Sequence, residues 1–204
     1  MDIKPKKINK YHSLLKRNID IVLSIFSMIL LLPLFLALAL IVGLNSTGGI
    51  IYKQIRLGKN GKSFNLYKFR TMHINSEINT GPIWADKNDS RITREGKILR
   101  KFHLDEIPQL YNVFKGHMSI VGPRPERPHI VNILKKEIPS YTHRMRVKPG
   151  ITGWAQIMGG YDATMADVNL KLKHDIFYIE NMSIFMDLKI MFMTILAVIK
   201  GKGQ

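Results

Sequence analysis

The 204-residue chain carries 31 Lys plus Arg against 15 Asp plus Glu, a formal net charge of +16, and no cysteine. Its length suits one ordinary domain with a real core, the missing cysteines exclude disulfides and thiolate metal sites, and a hydrophobic share of 46% excludes a disordered basic tail. The excess of positive charge implies an anionic partner: nucleic acid, phospholipid or a phosphorylated small molecule.

Ile21 to Leu44 contains no charged residue over 24 positions. At ~1.5 Å per residue a straight helix of that length would cross a ~30 Å hydrocarbon layer. The run is too long, and lacks a small-residue cleavage site after Leu44, for a cleaved signal peptide. Both flanks are basic: Lys4, Lys6, Lys7, Lys10, Lys16 and Arg17 before it, and Lys53, Arg56, Lys59 and Lys62 after it. The positive-inside rule would keep each flank in the cytoplasm, and a spanning helix satisfies only one of them. Pro33, mid-run, removes a backbone donor and pushes Leu32 out of the α region. A helix broken there would enter one leaflet and return, but Ser24 and Ser27 lie too early to satisfy the freed backbone. Proline is also tolerated in simple spanning helices, so the residues alone leave both forms open. Asp20, three and four residues after Arg17 and Lys16, is placed for a helical ion pair or for solvent.

Ile50 to Arg56 and Phe64 to Met72 read as strands joined through Asn60-Gly61, a hairpin signal. Thr80 to Asp89 reads as a loop and residues 93 to 103 as a helix. Pro108 belongs in the first turn of the next helix, which Gly116 ends. Ser119 to Val121 reads as a short strand or connector, 126 to 138 as a helix despite Pro128, Lys148 to Ile157 as a Pro/Gly-punctuated loop or strand, and 165 to 180 as a helix. Ile184 to Ile199 is apolar but short of the ~20 residues needed to span; it suits an interfacial amphipathic helix or a core helix. Met182, Met186, Met191 and Met193 read as packing residues. There is no internal repeat and no sign of a second domain.

The most informative stretch is Leu99-Arg100-Lys101-Phe102-His103-Leu104-Asp105-Glu106-Ile107-Pro108-Gln109. Adjacent acids in so basic a chain need a reason. Carboxylates hold a divalent cation, attack phosphorus or move a proton, or simply suit a helix N-terminus. Arg100 stands five residues before Asp105, and Arg124 is held between Pro123 and Pro125; both suit a phosphate contact. Arg146 and Lys148, ahead of Pro149-Gly150, suit the nucleotide end of a diphosphate or plain solvation. Trp154 reads as packed core rather than a base-stacking residue. His73, His129, His143 and His174 show no metal-ligand spacing.

From Lys16-Arg17-Asn18-Ile19-Asp20 to Lys200 the ordered blocks resemble those of the bacterial sugar transferases, the monotopic polyprenyl-phosphate sugar-phosphate transferases. The blocks are Tyr67-Lys68-Phe69-Arg70-Thr71-Met72, Asp89-Ser90-Arg91-Ile92-Thr93, the Asp105-Glu106 stretch and Met118-Ser119-Ile120-Val121-Gly122-Pro123-Arg124-Pro125-Glu126. Lys148-Pro149-Gly150-Ile151-Thr152-Gly153-Trp154-Ala155-Gln156, Tyr178-Ile179-Glu180-Asn181-Met182-Ser183 and Asp187-Leu188-Lys189-Ile190 follow. Any one block is weak; the ordered set is specific.

The resemblance implies a mostly helical α+β fold: one membrane-embedded domain with a re-entrant helix-break-helix in residues 1–48 and a cytoplasmic catalytic region in 49–204. A small β-hairpin and interfacial helices complete it. The resemblance implies location at the bacterial inner membrane with catalysis on the cytoplasmic face, and chains of this size resemble the family's minimal catalytic unit. It implies transfer of a sugar 1-phosphate from a UDP-sugar to undecaprenyl phosphate with release of UMP. Asp105 would be the nucleophile, and Asp105 and Glu106 the ligands of Mg²⁺, with Glu106 alternatively holding or deprotonating the acceptor phosphate. Arg100, Arg124, Arg146, Lys148, Gln109 and Arg70 would bind substrate. Membrane lipid is an expected partner, a homodimer is open, and nucleic acid is not expected, since no basic patch with interleaved aromatics is seen. A non-catalytic membrane scaffold is the competing class, and the intact acid and arginine set argues against it.

Three departures stand out. Leu32-Pro33 replaces the Ser-Pro frequent at the break, His103 stands where Ser or Thr is frequent, and His117 where an acid is frequent. Sugar choice is expected from Gly159 to Asp167 and from the residues after Pro125. Tyr161-Asp162-Ala163 lacks the arginine signature typical of the family, so glucose, galactose and N-acetylated amino- or deoxy-sugars all stay open.

Overall fold

A computed structural model describes residues 10–46, 48–74, 76, 89–159 and 164–200. The loop expected between Thr80 and Asp89 and the Tyr161-Asp162-Ala163 stretch fall outside the described residues, apart from Asp89. The elements in chain order are α1 (Lys10–Leu30), α2 (Leu32–Asn45), β1 (Ile51–Leu57), β2 (Ser63–Phe69), α3 (Arg94–Lys101), α4 (Gln109–Phe114) and β3 (Ser119–Val121). They continue with α5 (Pro128–Glu137), β4 (Gly150–Thr152), α6 (Trp154–Met158), α7 (Met165–Glu180) and α8 (Ile184–Ile199). The helices dominate and the strands form two small sheets, an α+β arrangement.

Among the described residues no single helix is long and apolar enough to cross a membrane; α1 from Leu14 together with α2 is, and the pair bends by 63°. The break falls at Leu31, one residue earlier than Pro33 alone suggested. Pro33 then occupies the first turn of α2, where a missing N–H costs little. Backbone bonds straddle the bend: Leu31 N–H donates to Ser27 O (2.9 Å) and Phe35 N–H to Leu31 O (2.8 Å).

β1 and β2 pair antiparallel from Ile51 opposite Phe69 to Leu57 opposite Ser63. Asn60 (φ 56°) and Gly61 make the left-handed turn between them, as the Asn-Gly signal predicts. β2 ends three residues before Met72, which instead bridges to Ile92. α5 starts at Pro128 itself, which removes the apparent conflict of a proline inside that helix. β3 and β4 are parallel, Ser119 opposite Gly150 and Val121 opposite Thr152. A Cβ on Gly150 would collide with Gly122 N, so glycine there permits the close approach of the two segments.

The basic flank of α1 fastens it to the body. Arg17 donates to Val113 O (2.6 Å) and Phe114 O (2.7 Å), satisfying the last carbonyls of α4. Asp20 accepts from Ser119 Oγ (2.9 Å) and Ile120 N–H (3.0 Å) of β3. Lys16 pairs with Asp187 of α8 at 2.5 Å. The local pair of Asp20 with Lys16 or Arg17 therefore gives way to long-range contacts. α2 packs through Phe35, Leu38 and Val42 onto Phe69 of β2, Leu99 of α3, and Leu104 and Ile107.

α8 is not a buried core helix. Ile190 is fully buried, yet Phe185, Leu188, Phe192, Ile195 and Ile199 are exposed. Of the four methionines expected to pack, Met182, just ahead of α8, and Met186 and Met191 within it pack beside Trp154 against a core of Val121, Val147, Tyr178, Ile179 and Ile190. Trp154 is half-buried, with Lys189 Nζ 5.3 Å from its ring centre.

Candidate active site

Asp105 and Glu106 lie in a one-turn 3-10 segment, Leu104–Glu106, directly ahead of α4. His103 enters it in the left-handed conformation (φ 53°, ψ 21°), which turns the chain sharply after α3. Histidine tolerates that region better than β-branched residues do. Leu104 and Ile107, on either side of the acids, pack into the cluster shared with α2. The acids themselves are buried.

The geometry rests on Asn112, buried in α4. Its side chain accepts from Tyr67 N–H (3.0 Å) and donates to Asn65 O (2.7 Å), locking α4 to the edge of β2. That lock sets Lys68 of β2 beside the acids. Lys68 Nζ donates to Glu106 Oε1 at 2.7 Å and stands 3.6 Å from Asp105 Oδ2. Arg124 forks Glu106 from the other side, 2.7 Å to Oε1 and 3.5 Å to Oε2.

The two acids thus differ in charge environment. Burial raises the Asp105 carboxyl above its ordinary range, with Glu106 adding to the rise against the pull of Lys68. Burial would raise Glu106 too, but Arg124 and Lys68 outweigh it and hold that carboxyl well below the usual range. Glu106 is a fixed anion, and Asp105 a desolvated carboxyl with a looser partner.

Of the arginines expected at a phosphate, Arg124 is at the acid pair but bonded to Glu106. Arg100 is half-buried, donates to Thr71 Oγ1 (2.9 Å), and is near enough for Asp105 to favour its charge against burial. Gln109 is buried at the start of α4, and its Nε2 has no hydrogen-bond partner among the described residues. The remaining three candidates have their own surroundings. Arg70 donates to Gly49 O (2.9 Å) and covers the Tyr52 ring. Lys148 Nζ lies beside Gly116 and Arg17, past the far end of α4. Arg146 is half-buried in the 3-10 stretch Pro139–Arg146.

Lys68 is the residue that sequence reasoning passed over. A signal was present: Lys68 follows Phe64 and Leu66 at alternate positions of β2, both buried against Val113 of α4. A lysine continuing an inward-facing series needs an anion to meet it.

Behind the acids lies a second ionic network. Glu126 accepts from Lys171 (3.2 Å) and Arg56 (3.4 Å), and Arg144 pairs with Asp175 at 2.7 Å. Among the described residues no three acidic or histidine side chains cluster as a protein-only metal cage. Two adjacent buried carboxylates do fit Mg²⁺, which takes one or two carboxylates and completes its shell with substrate phosphates and water.

A family model described as bacterial sugar transferase matches residues 11–201. A UDP-N-acetylgalactosamine-undecaprenyl-phosphate N-acetylgalactosaminephosphotransferase from Aeromonas hydrophila is 43% identical over 192 residues, covering 94% of this chain and 45% of that protein. A UDP-glucose:undecaprenyl-phosphate glucose-1-phosphate transferase from Klebsiella pneumoniae is 41% identical over 190 residues, covering 92% of this chain and 41% of that protein. An exopolysaccharide production protein PSS from Rhizobium leguminosarum bv. phaseoli is 40% identical over 198 residues, covering 93% of this chain and 98% of that protein. The chain therefore spans less than half the length of the first two relatives and nearly all of the third.

Proposed function

The chain belongs to the bacterial sugar transferase family, and we propose that it transfers a sugar 1-phosphate from a UDP-sugar to undecaprenyl phosphate through an aspartyl intermediate. The carrying observation is the position of the acid pair. Asp105 and Glu106 are ringed by Lys68, Arg124 and Arg100, while their neighbours Leu104 and Ile107 pack on α2. A charge cluster suited to phosphate thus sits against α2 of the apolar bent pair, within reach of a lipid-borne phosphate in this reading.

In this reading an Asp105 oxygen attacks the β-phosphorus of the UDP-sugar. The new O–P bond forms as the bond to the oxygen of the α-phosphate breaks, and UMP leaves. A phosphate oxygen of undecaprenyl phosphate then attacks the same phosphorus. The Asp105–phosphorus bond breaks, the carboxylate is restored, and undecaprenyl diphosphosugar departs. A desolvated carboxylate attacks more readily than a hydrated one, which is the use of burying Asp105. Glu106 stays ionised and holds Lys68 and Arg124 in place, where their remaining N–H groups face charge developing on the diphosphate. Mg²⁺, held by Asp105 and Glu106, would supply neutralisation of that diphosphate charge.

The bent pair is read as re-entrant, so that both basic flanks lie in the cytoplasm. The exposed apolar residues of α1 (Val22, Phe26, Ile29), α2 (Leu36, Leu40, Leu44) and α8 (Phe185, Phe192, Ile199) support seating in a bilayer rather than contact with water. Cysteine labelling of Ser13→Cys and Ser63→Cys in inverted vesicles should mark both from one side; labelling from opposite sides removes the re-entrant reading. UMP release by the purified chain with undecaprenyl phosphate, Mg²⁺ and a panel of UDP-sugars tests the reaction. Release with one or a few sugars is expected, and none with any sugar would favour the scaffold.

A further inference from the structure

The segment that carries Arg124 is held carbonyl by carbonyl. Pro123 O accepts from Gly150 N–H (3.0 Å) and Glu126 O from Leu57 N–H (2.9 Å). Between them, Arg124 O accepts from Arg144 (2.9 Å) and Pro125 O from Arg56 (2.8 Å). Two of these donors are guanidiniums rather than backbone, Arg56 half-buried and Arg144 buried, which is a costly way to hold a loop.

Arg144 is the more committed of the two, only 4% exposed. Its Nε and one terminal nitrogen meet Asp175 of α7 (2.8 and 2.7 Å), and the other terminal nitrogen donates to Tyr141 Oη (2.8 Å). The nitrogen that meets Asp175 also reaches Arg124 O. The planar fork thus ties α7 and the 3-10 stretch to one carbonyl of the active-site segment, a geometry a lysine cannot reproduce. A buried ion pair gives little stability beyond a well-packed apolar replacement, so its placement on that carbonyl calls for another reason.

We propose that Arg144 is a positioning residue for phosphoryl transfer: by fixing the Arg124 carbonyl it sets where the Arg124 guanidinium meets Glu106 and the substrate diphosphate. This rests on the reading that Arg124 serves the transfer step. Arg144 itself does not contact Glu106; it acts through the backbone between them, with Asp175 and Tyr141 as its anchors.

The test uses the full chain in nanodiscs, with UMP release and hydrogen exchange as separate readouts. Arg144→Lys should lower kcat by about 10- to 100-fold with KM for the UDP-sugar little changed, as for loss of a fixed transition-state contact. In an Arg124→Ala background the same substitution should cost less than about 2-fold, because its route of action is already gone. The double variant Arg144→Met/Asp175→Leu removes the charges together. It should melt near wild type yet turn over as slowly as Arg144→Lys. Independently of turnover, peptides covering residues 122–127 should exchange faster in Arg144→Lys, with α7 peptides unchanged. Wild-type kcat in either variant, effects that multiply in the Arg124→Ala background, or unchanged exchange at 122–127 would each overturn the inference. Absence of UMP release from the wild type would instead count against the reaction itself, with the exchange result still deciding the role of Arg144.

Discussion

Two ionic networks sit back to back in this fold, built from the same ingredients and finished differently. In the rear network each acid has close partners: Glu126 has Lys171 and Arg56, and Asp175 has Arg144. In the front network Glu106 takes Lys68 and Arg124 at 2.7 Å each, and among the described residues Asp105 is left with a 3.6 Å approach to the same lysine. Satisfied buried acids stabilise a geometry; a loosely partnered one keeps its charge available for chemistry. The acid that looks least well held is the one assigned to attack.

The comparison breaks most sharply at Asp105. Asp105→Asn should cut UMP release by more than about 10³-fold, the scale seen when a nucleophile is removed. Its folded pKa is raised, so at neutral pH the buried charge opposes folding, and replacing it should leave the melting temperature unchanged or higher. A variant that loses stability along with activity would place Asp105 among the structural acids. Arg124→Ala removes the fork on Glu106 and should lower kcat by about 100-fold, measured at saturating UDP-sugar.

The rear network should respond in the opposite sense. Glu126→Gln leaves buried cations uncompensated and should cost about 3 kcal/mol of stability by denaturant titration in detergent. Burial would raise the Glu126 carboxyl, but Lys171, Arg144 and Arg56 hold it below 4.5. Its stabilising contribution is therefore complete above the ordinary glutamate value and is lost as pH falls toward the folded value. The stability gap between wild type and Glu126→Gln should accordingly narrow below about pH 4.5. At the smallest scale, His103→Gly should stay within about 0.5 kcal/mol of wild type, whereas His103→Val, forced into the left-handed region, should cost about 1 kcal/mol or more.

Much of the architecture was readable because local chemistry decides it. Pro33 ends one helix and begins another, Asn60-Gly61 turns the hairpin, and Gly116 (φ 81°) closes α4. α8 spans Ile184–Ile199 as its apolar run implies. The acid pair and Arg124 were also legible as neighbours in one site. Partner choice across the fold was not. Lys68 and Glu106 are 38 residues apart, Arg17 and Val113 are 96 apart, and Asp20 and Ile120 are 100 apart. Each is set by how β2, α1 and β3 pack, which no local spacing encodes. For the same reason the prolines beside Arg124 announced a stiffened phosphate contact but not the partners that hold it, Glu106 at the side chain and Arg144 at the carbonyl.

The covalent state of Asp105 tests the central claim most directly. The purified chain would be incubated with Mg²⁺ and an accepted UDP-sugar without undecaprenyl phosphate, quenched, digested and read by mass spectrometry. The account predicts about one UMP released per active site and a sugar-phosphate mass on the peptide containing Asp105, absent in Asp105→Asn and discharged on adding undecaprenyl phosphate. UMP formed only when the acceptor is present, with no adduct on Asp105 at any time, would contradict it.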